Sequence, residues 1–396
     1  MSVNYSFRNA PPAQLAAYLL DARNYTLSLF ACFEKAGLDK LSLVPYLPII
    51  NPPLWELGHL VWFTEWFILR GSPVGSNAME QHPSLLAGSD LWFDSARIAH
   101  ATRWQLDLPA TRVIKQYANE VLLRILEKLS KLPNNNEALY LYRLALAHED
   151  MHGEAFAYTL QTLGIAALPA LSTHQSTSAP QRQLQFDGGQ ILLGSVSNEF
   201  IFDNEKLAHE VYIFPYTIDS SLVTNAQYKK FILAGGYQNS EHWDVNGQAW
   251  LALTQRTSPR YWKLTDGVWQ CKLNATLTKL IDTDAVRHIS LHEARAYCHW
   301  AHRRLPTETE WEYAATLGNP NFYWGELWEW TSTPFEPYPG FSPDVYKEYS
   351  APWFYTHQAL RGASCATQQR IRSPRYRNFY LHDRDDIFVG FRTCAL

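Results

Sequence analysis

The sequence predicts a two-domain chain, an antiparallel helical bundle followed by a loop-rich α+β domain. Two observations predict it: the apolar residues recur at helical spacing up to about Gly164, and beyond a Ser/Thr/Pro/Gln-rich stretch they occur in short alternating segments. The expected boundaries are 1–166 for the bundle, 167–183 for a linker and 184–396 for the second domain. A chain of 396 residues, 46% of them hydrophobic, is long enough for each part to bury a core of its own.

Four segments carry the helical period: AQLAAYLLDARNYTLSLFACF, WELGHLVWFTEWFIL, YANEVLLRILEKL and ALYLYRLALAHEDMHGEAFAYTLQTLG. PYLPIINPP before the second and KLPNNNE before the fourth supply the Pro and Asn expected at helix starts. ALPALSTHQSTSAPQRQ has no apolar period and reads as the linker. After it, QLQFDGGQILLGS, HEVYIFPYTIDSSLV and GVWQCKL read as short strands, and two helices stand out, around TNAQYKKFILAG and SLHEARAYCHWAHR.

Composition narrows the function classes. A formal net charge of −4 with 18% charged residues offers no basic stripe for a nucleic-acid backbone. The longest apolar stretch, 57–69, contains His59 and Glu65 and is too short to cross a bilayer, and the first residues lack a signal-peptide pattern, so a cytoplasmic protein without membrane or nucleic-acid partners is expected. The five cysteines lack CxxC spacing and read as reduced thiols. Fifteen Trp, 22 Tyr and 19 Phe are abundant enough to serve both cores and cages for a quaternary ammonium.

His148 and His152 lie four apart on the fourth helix, on one face, where they can share an ion. His59 sits in the apolar run LWELGHLVWF, where a neutral imidazole needs a buried partner, and a metal is one such partner. Three His from two helices make a facial N3 set with coordination positions left open. Glu149, Asp150 and Glu154 are candidates for orienting the rings, or equally a solvated helix face. The residues alone do not choose between zinc chemistry, thiol transfer and iron oxygenation.

Over nearly its full length the sequence resembles the iron-dependent sulfoxide synthases of ergothioneine biosynthesis, which join a DinB-like four-helix bundle to a formylglycine-generating-enzyme-like (sulfatase-modifying-factor, C-type-lectin-like) domain. FDNEKLAHEV, VTNAQYKKF, HISLHEARAYCHWAHRRLPTETEWEYAA, WEWTSTPFEPYPGF, ALRGAS and DDIFVGFRTC match in order. The resemblance implies an Fe(2+) cofactor on His59, His148 and His152. NPPLWELGHLVWFTEWFILR, LWFDSARIAHATRWQLDLP and YRNFYLHDRDDIFVGFRTC are similar to the selenoneine-synthase branch. That branch joins selenium from a selenosugar to hercynine with O2, while other branches use cysteine or γ-glutamylcysteine as donor.

Further roles follow from the same resemblance. Tyr338 and Tyr380 are the candidate catalytic tyrosines, and Arg97, Asn378, Phe379 and Arg384 the candidate substrate-binding residues. The family's NWDxxxxR-like segment reads Asn378, Phe379, Tyr380 and then Arg384 here, and the two departures fit a different donor. Met151 lies inside the HxxxH, where several relatives carry a polar residue; a thioether cannot donate that hydrogen bond. A formylglycine-generating activity is disfavoured, because it needs a reactive cysteine pair near the RGGS-like turn, where this sequence has only Cys365, with Cys394 at the end, and because the sequence has the His triad. His288, His292, His299 and His302 match a structural helix, with no metal expected there.

Overall fold

A computed structural model of the chain describes residues 6–71, 82–168, 181–196 and 199–396. The greater part of the expected linker, 169–180, lies outside the described residues. The chain forms two compact units: one comprises 1–171 with Ser197–Phe200 and Ala366–Ile371, the other 172–196, 201–365 and 372–396.

The first unit is helical. Helix α1 (Pro12–Lys35) and helix α2 (Pro53–Ile68) both start with proline at the first helical position, where the missing N–H costs nothing. A short α3 (Ser89–Phe93) follows, then α4 (Thr111–Leu129) and α5 (Asn136–Leu163). The Asn135 side chain accepts from Ala138 N at 2.8 Å to start α5, and Gly164, at φ 68°, ends it in the left-handed conformation. Ile114, Tyr117, Val121, Ile125 and Leu129 form the buried stripe of α4. Nearly every residue of α2 is buried, so α2 is the central helix, and α1, α4 and α5 pack on it.

In the second unit, β1 (Gln183–Phe186) pairs antiparallel with β4 (Tyr216–Asp219), and β2 (Gly189–Leu193) with β3 (His209–Ile213). Strands β5 (Trp262–Thr265), β6 (Val268–Leu273) and β7 (Thr276–Lys279) form a meander. A four-stranded sheet has the order β10–β9–β8–β11, from β8 (Trp328–Pro334), β9 (Gln358–Gly362), β10 (Asn378–Tyr380) and β11 (Val389–Gly390).

Helices α6 (Asn225–Leu233), α8 (Leu291–Trp300) and α9 (Glu308–Thr316) all begin with capping boxes; α7 (Val245–Thr254) is capped by Asp244. The two expected helices are α6 and α8. The additional α7 and α9 correct the reading that only two helices stand out in this half. The core beneath α9 joins Phe186, Ile213, Tyr216, Ile218, Trp311 and Phe322, and the buried Arg392–Glu329 ion pair receives the Trp311 indole N–H at 2.9 Å. Among the described residues no helix is long and apolar enough to cross a membrane.

Candidate metal centre

Helix α2 supplies His59, and α5 supplies His148 and His152. One ligand atom from each lies within 4.8 Å of the others. His59 and His148 are buried, whereas the His152 side chain is 18% exposed, which leaves the centre approachable from that side. The ring centroids are 5.2 Å apart for His59 and His148, 5.1 Å for His59 and His152, and 4.5 Å for His148 and His152.

Two of the rings have their tautomer set by an acceptor outside the triad. Nδ1 of His59 donates to the carbonyl oxygen of Phe93 at 2.8 Å, and Nδ1 of His152 donates to Oε1 of the buried Glu56 at 2.7 Å. A proton on Nδ1 leaves the lone pair on Nε2, so that Nε2 is the nitrogen able to ligate a metal. His148 stacks flat on Phe63, with centroids 3.6 Å apart and planes 5° apart. Burial, and then the charge of neighbouring histidines, holds the pKa of His59 and His148 well below the ordinary imidazole value, so both rings are neutral at neutral pH, as metal binding would require. Three converging imidazoles, two of them held neutral by burial, fit a divalent first-row metal with open positions.

The ring-orienting partners are a correction to the sequence reading. Glu149, Asp150 and Glu154 are neither a solvated face nor acceptors for the rings. Glu149 takes a bidentate contact from Arg23 at 2.7 and 3.1 Å, Asp150 is held by Arg370, and Glu154 accepts from the Thr367 hydroxyl at 2.7 Å. Glu56 and the Phe93 carbonyl were missed. A carboxylate three residues before His59 in an apolar helix was a usable signal for the first; a backbone carbonyl has no signature in residue type.

Arg97 belongs to the first unit and is 76% exposed, paired with Asp94 at 3.1 Å. Tyr338, Asn378, Phe379, Tyr380 and Arg384 belong to the second unit. Tyr338 is buried there: the Arg377 guanidinium stands 3.9 Å from its ring centroid, and Arg361 donates to its hydroxyl at 3.5 Å. Asn378, Phe379 and Tyr380 make up β10, half-buried, with Phe379 stacked on Phe335 at 4.2 Å. Arg384 is ion-paired to Asp386 at 2.6 Å and lies 5.0 Å from the Tyr380 ring.

Fold and site thus define a helical protein with a buried three-histidine cluster, continued by a mixed α/β unit. The sulfatase-modifying factor enzyme 1-like domain family matches residues 169–327. A protein named hercynine oxygenase from Mycolicibacterium thermoresistibile is 29% identical, covering 96% of this chain and 94% of its own length. The hercynine oxygenase of Mycobacterium tuberculosis is likewise 29% identical, covering 96% and 98%. The formylglycine-generating enzyme of Streptomyces coelicolor is 27% identical over 41% of this chain and 57% of its own length. Similarity to hercynine oxygenases therefore runs through both units, whereas the formylglycine-generating enzyme matches only part of the chain.

Proposed function

We propose that this protein is an iron(II)-dependent, O2-using enzyme that joins a chalcogen to the imidazole C2 of hercynine, with a selenosugar as selenium donor. The observation that carries the reading is the triad itself: His59, His148 and His152 converge with Nε2 free on His59 and His152, in a chain similar to hercynine oxygenases over 96% of its length. Iron(II) held by the three imidazoles would supply the redox chemistry with dioxygen.

The protein's own part is to bind and orient. The Phe93 carbonyl and Glu56 fix the planes of His59 and His152, and Phe63 and Trp55 pack flat against His148 and His59, so the donor set is held before any substrate arrives. Hercynine carries a trimethylammonium and a carboxylate, which ask for aromatic faces and for amide or guanidinium donors. Asn378, Phe379 and Arg384 are proposed for those contacts, and Arg97 for the anionic group of the donor. Tyr380 is proposed as the proton donor in preference to Tyr338, whose hydroxyl is engaged by Arg361 in the core of its unit. The DinB-like nature of the bundle and the two-domain division at 167–183 belong to the same proposal.

The test is anaerobic reconstitution with iron(II), then air and hercynine, with selenosugar, cysteine and γ-glutamylcysteine offered in competition and products read by mass. A dominant selenium adduct supports the full reading. Sulfur adducts alone would move the donor to a thiol and leave the hercynine reading standing; no oxygen uptake with any donor would sink it.

A further inference from the structure

Helix α2 carries a continuous aromatic stack that runs through a metal-binding candidate. Trp55 lies flat on His59, with centroids 5.0 Å apart and planes 6° apart; His59 faces Trp62 at 6.1 Å and 26°; Trp62 faces Trp66 at 5.6 Å and 28°. Sequence spacings of four, three and four place all of them on one helical face. Trp55 and Trp62 are buried and Trp66 is half-buried, so the stack leads from the enclosed triad toward the outside of the helix.

The surroundings of the stack are polar in a specific way. The indole N–H of Trp62 donates to Oδ1 of Asp90 at 2.6 Å, and Arg70 holds both oxygens of Asp90 at 2.6 and 2.9 Å. Hydrogen bonds from Arg70 and Trp62 hold the Asp90 carboxyl below its ordinary range, so it is an ionised acceptor at neutral pH. Packing alone requires none of this, since a phenylalanine would fill the same face without placing an N–H on a carboxylate.

We propose that Trp62 and Trp66 form a one-electron path that drains oxidising equivalents from the three-histidine centre when no organic substrate is present to take them. This rests on the reading of that centre as one that activates dioxygen. Trp62 gives one electron inward past His59 and passes its Nε1 proton to Asp90, because an indole that has lost an electron is a far stronger acid. Trp66 returns one electron to Trp62, which recovers its proton from Asp90. An external reductant, a soluble thiol or ascorbate, refills Trp66 by one electron and releases one proton to water. The net change is one electron and one proton lost by the reductant and one electron gained at the centre, and every side chain is restored.

The test uses the full chain loaded with iron(II) under nitrogen, then exposed repeatedly to oxygen without hercynine, donor or reductant. Oxygen uptake is followed, and oxidised indoles are located by tandem mass spectrometry. Trp353, 41% exposed and outside the stack, is the internal control for oxidants diffusing in solution. The expected result is that Trp66 is oxidised several-fold more than Trp353 and that ascorbate suppresses this. In Trp62→Phe, which keeps an aromatic ring but not a readily oxidised one, Trp66 should lose most of its label and the peptides with Trp55 and His59 should gain it. Trp66→Phe, at the half-buried end, provides a second variant in which label stops at Trp62. Oxygen uptake with label that follows exposure and ignores both substitutions overturns the path and leaves the proposed function standing. No iron-dependent uptake overturns both.

Discussion

Gly58 and Phe93 approach so closely that a Cβ added to Gly58 would lie 2.2 Å from the Phe93 ring, and the carbonyl of that same Phe93 accepts the Nδ1 proton of His59. A missing side chain on α2 therefore sets where the acceptor for the next residue stands. Gly58→Ala forces Phe93 to move. Overpacking of this kind costs about 1–3 kcal/mol, and the displaced carbonyl should also weaken metal binding. Thermal unfolding of the metal-free protein reads the first effect, and chelator-competed titration with cobalt(II) reads the second.

Glu56→Ala should lower metal affinity while leaving the helices intact. Without its carboxylate, His152 is no longer held in the tautomer that presents Nε2. Losses of an outer partner typically run about 10–100-fold in affinity. An affinity equal to that of the parent protein would show that Glu56 orients nothing.

Arg370 donates to Asp150 from Nε at 2.7 Å and to Asp21 from Nη1 at 2.6 Å, tying α5 to α1 in the same turn of α5 that carries His148 and His152. Asp150 lies between His148 and His152 in sequence yet points into this pair. Arg370→Met should destabilise the first unit by about 3–5 kcal/mol, because a buried carboxylate is left without its cation. Adding Asp150→Asn should restore part of that loss; denaturant unfolding of both variants reads the difference.

Acid should weaken the metal-free protein through its buried histidines. Burial, then neighbouring charge, depresses the pKa of His59 and His148 in the folded state. Below the ordinary value of about 6.5 the unfolded chain takes protons that the folded chain refuses, so stability falls with pH, by about 1.4 kcal/mol per unit for each such histidine, until the depressed value is reached. His59→Leu should remove one histidine's share of that slope, measured as unfolding free energy against pH.

The two tyrosines should separate. Tyr338→Phe removes an acceptor from the buried Arg361 and should cost about 1 kcal/mol of stability. Tyr380→Phe, on the half-buried β10, should leave unfolding nearly unchanged and lower the rate of hercynine turnover with iron affinity unaltered. Equal turnover in Tyr380→Phe and the parent would remove it from the mechanism.

The long helices were legible because their apolar period persists over several turns, and the triad stood out because His148 and His152 share a helical face and His59 interrupts an apolar run. Helix α9 escaped notice although Thr307 and Glu310 spell a capping box, since nine residues give too few repeats for a period. Helix α7 holds Val245 and Gly247, weak helix formers, and depends on Asp244 and on the burial of Trp250. The partners of Glu149, Asp150 and Glu154 were not legible: Arg370 and Thr367 stand more than 200 residues away in sequence, and only tertiary packing brings them together.

The most direct measurement is the stoichiometry and ligand-field spectrum of cobalt(II), used in place of iron(II), in the parent protein and in His59→Ala, His148→Ala and His152→Ala. The account predicts one tightly bound ion per chain with a ligand-field spectrum distinct from that of aqueous cobalt(II), and loss of both in each variant. One ion bound with an unchanged spectrum in any of the three would contradict the three-histidine centre.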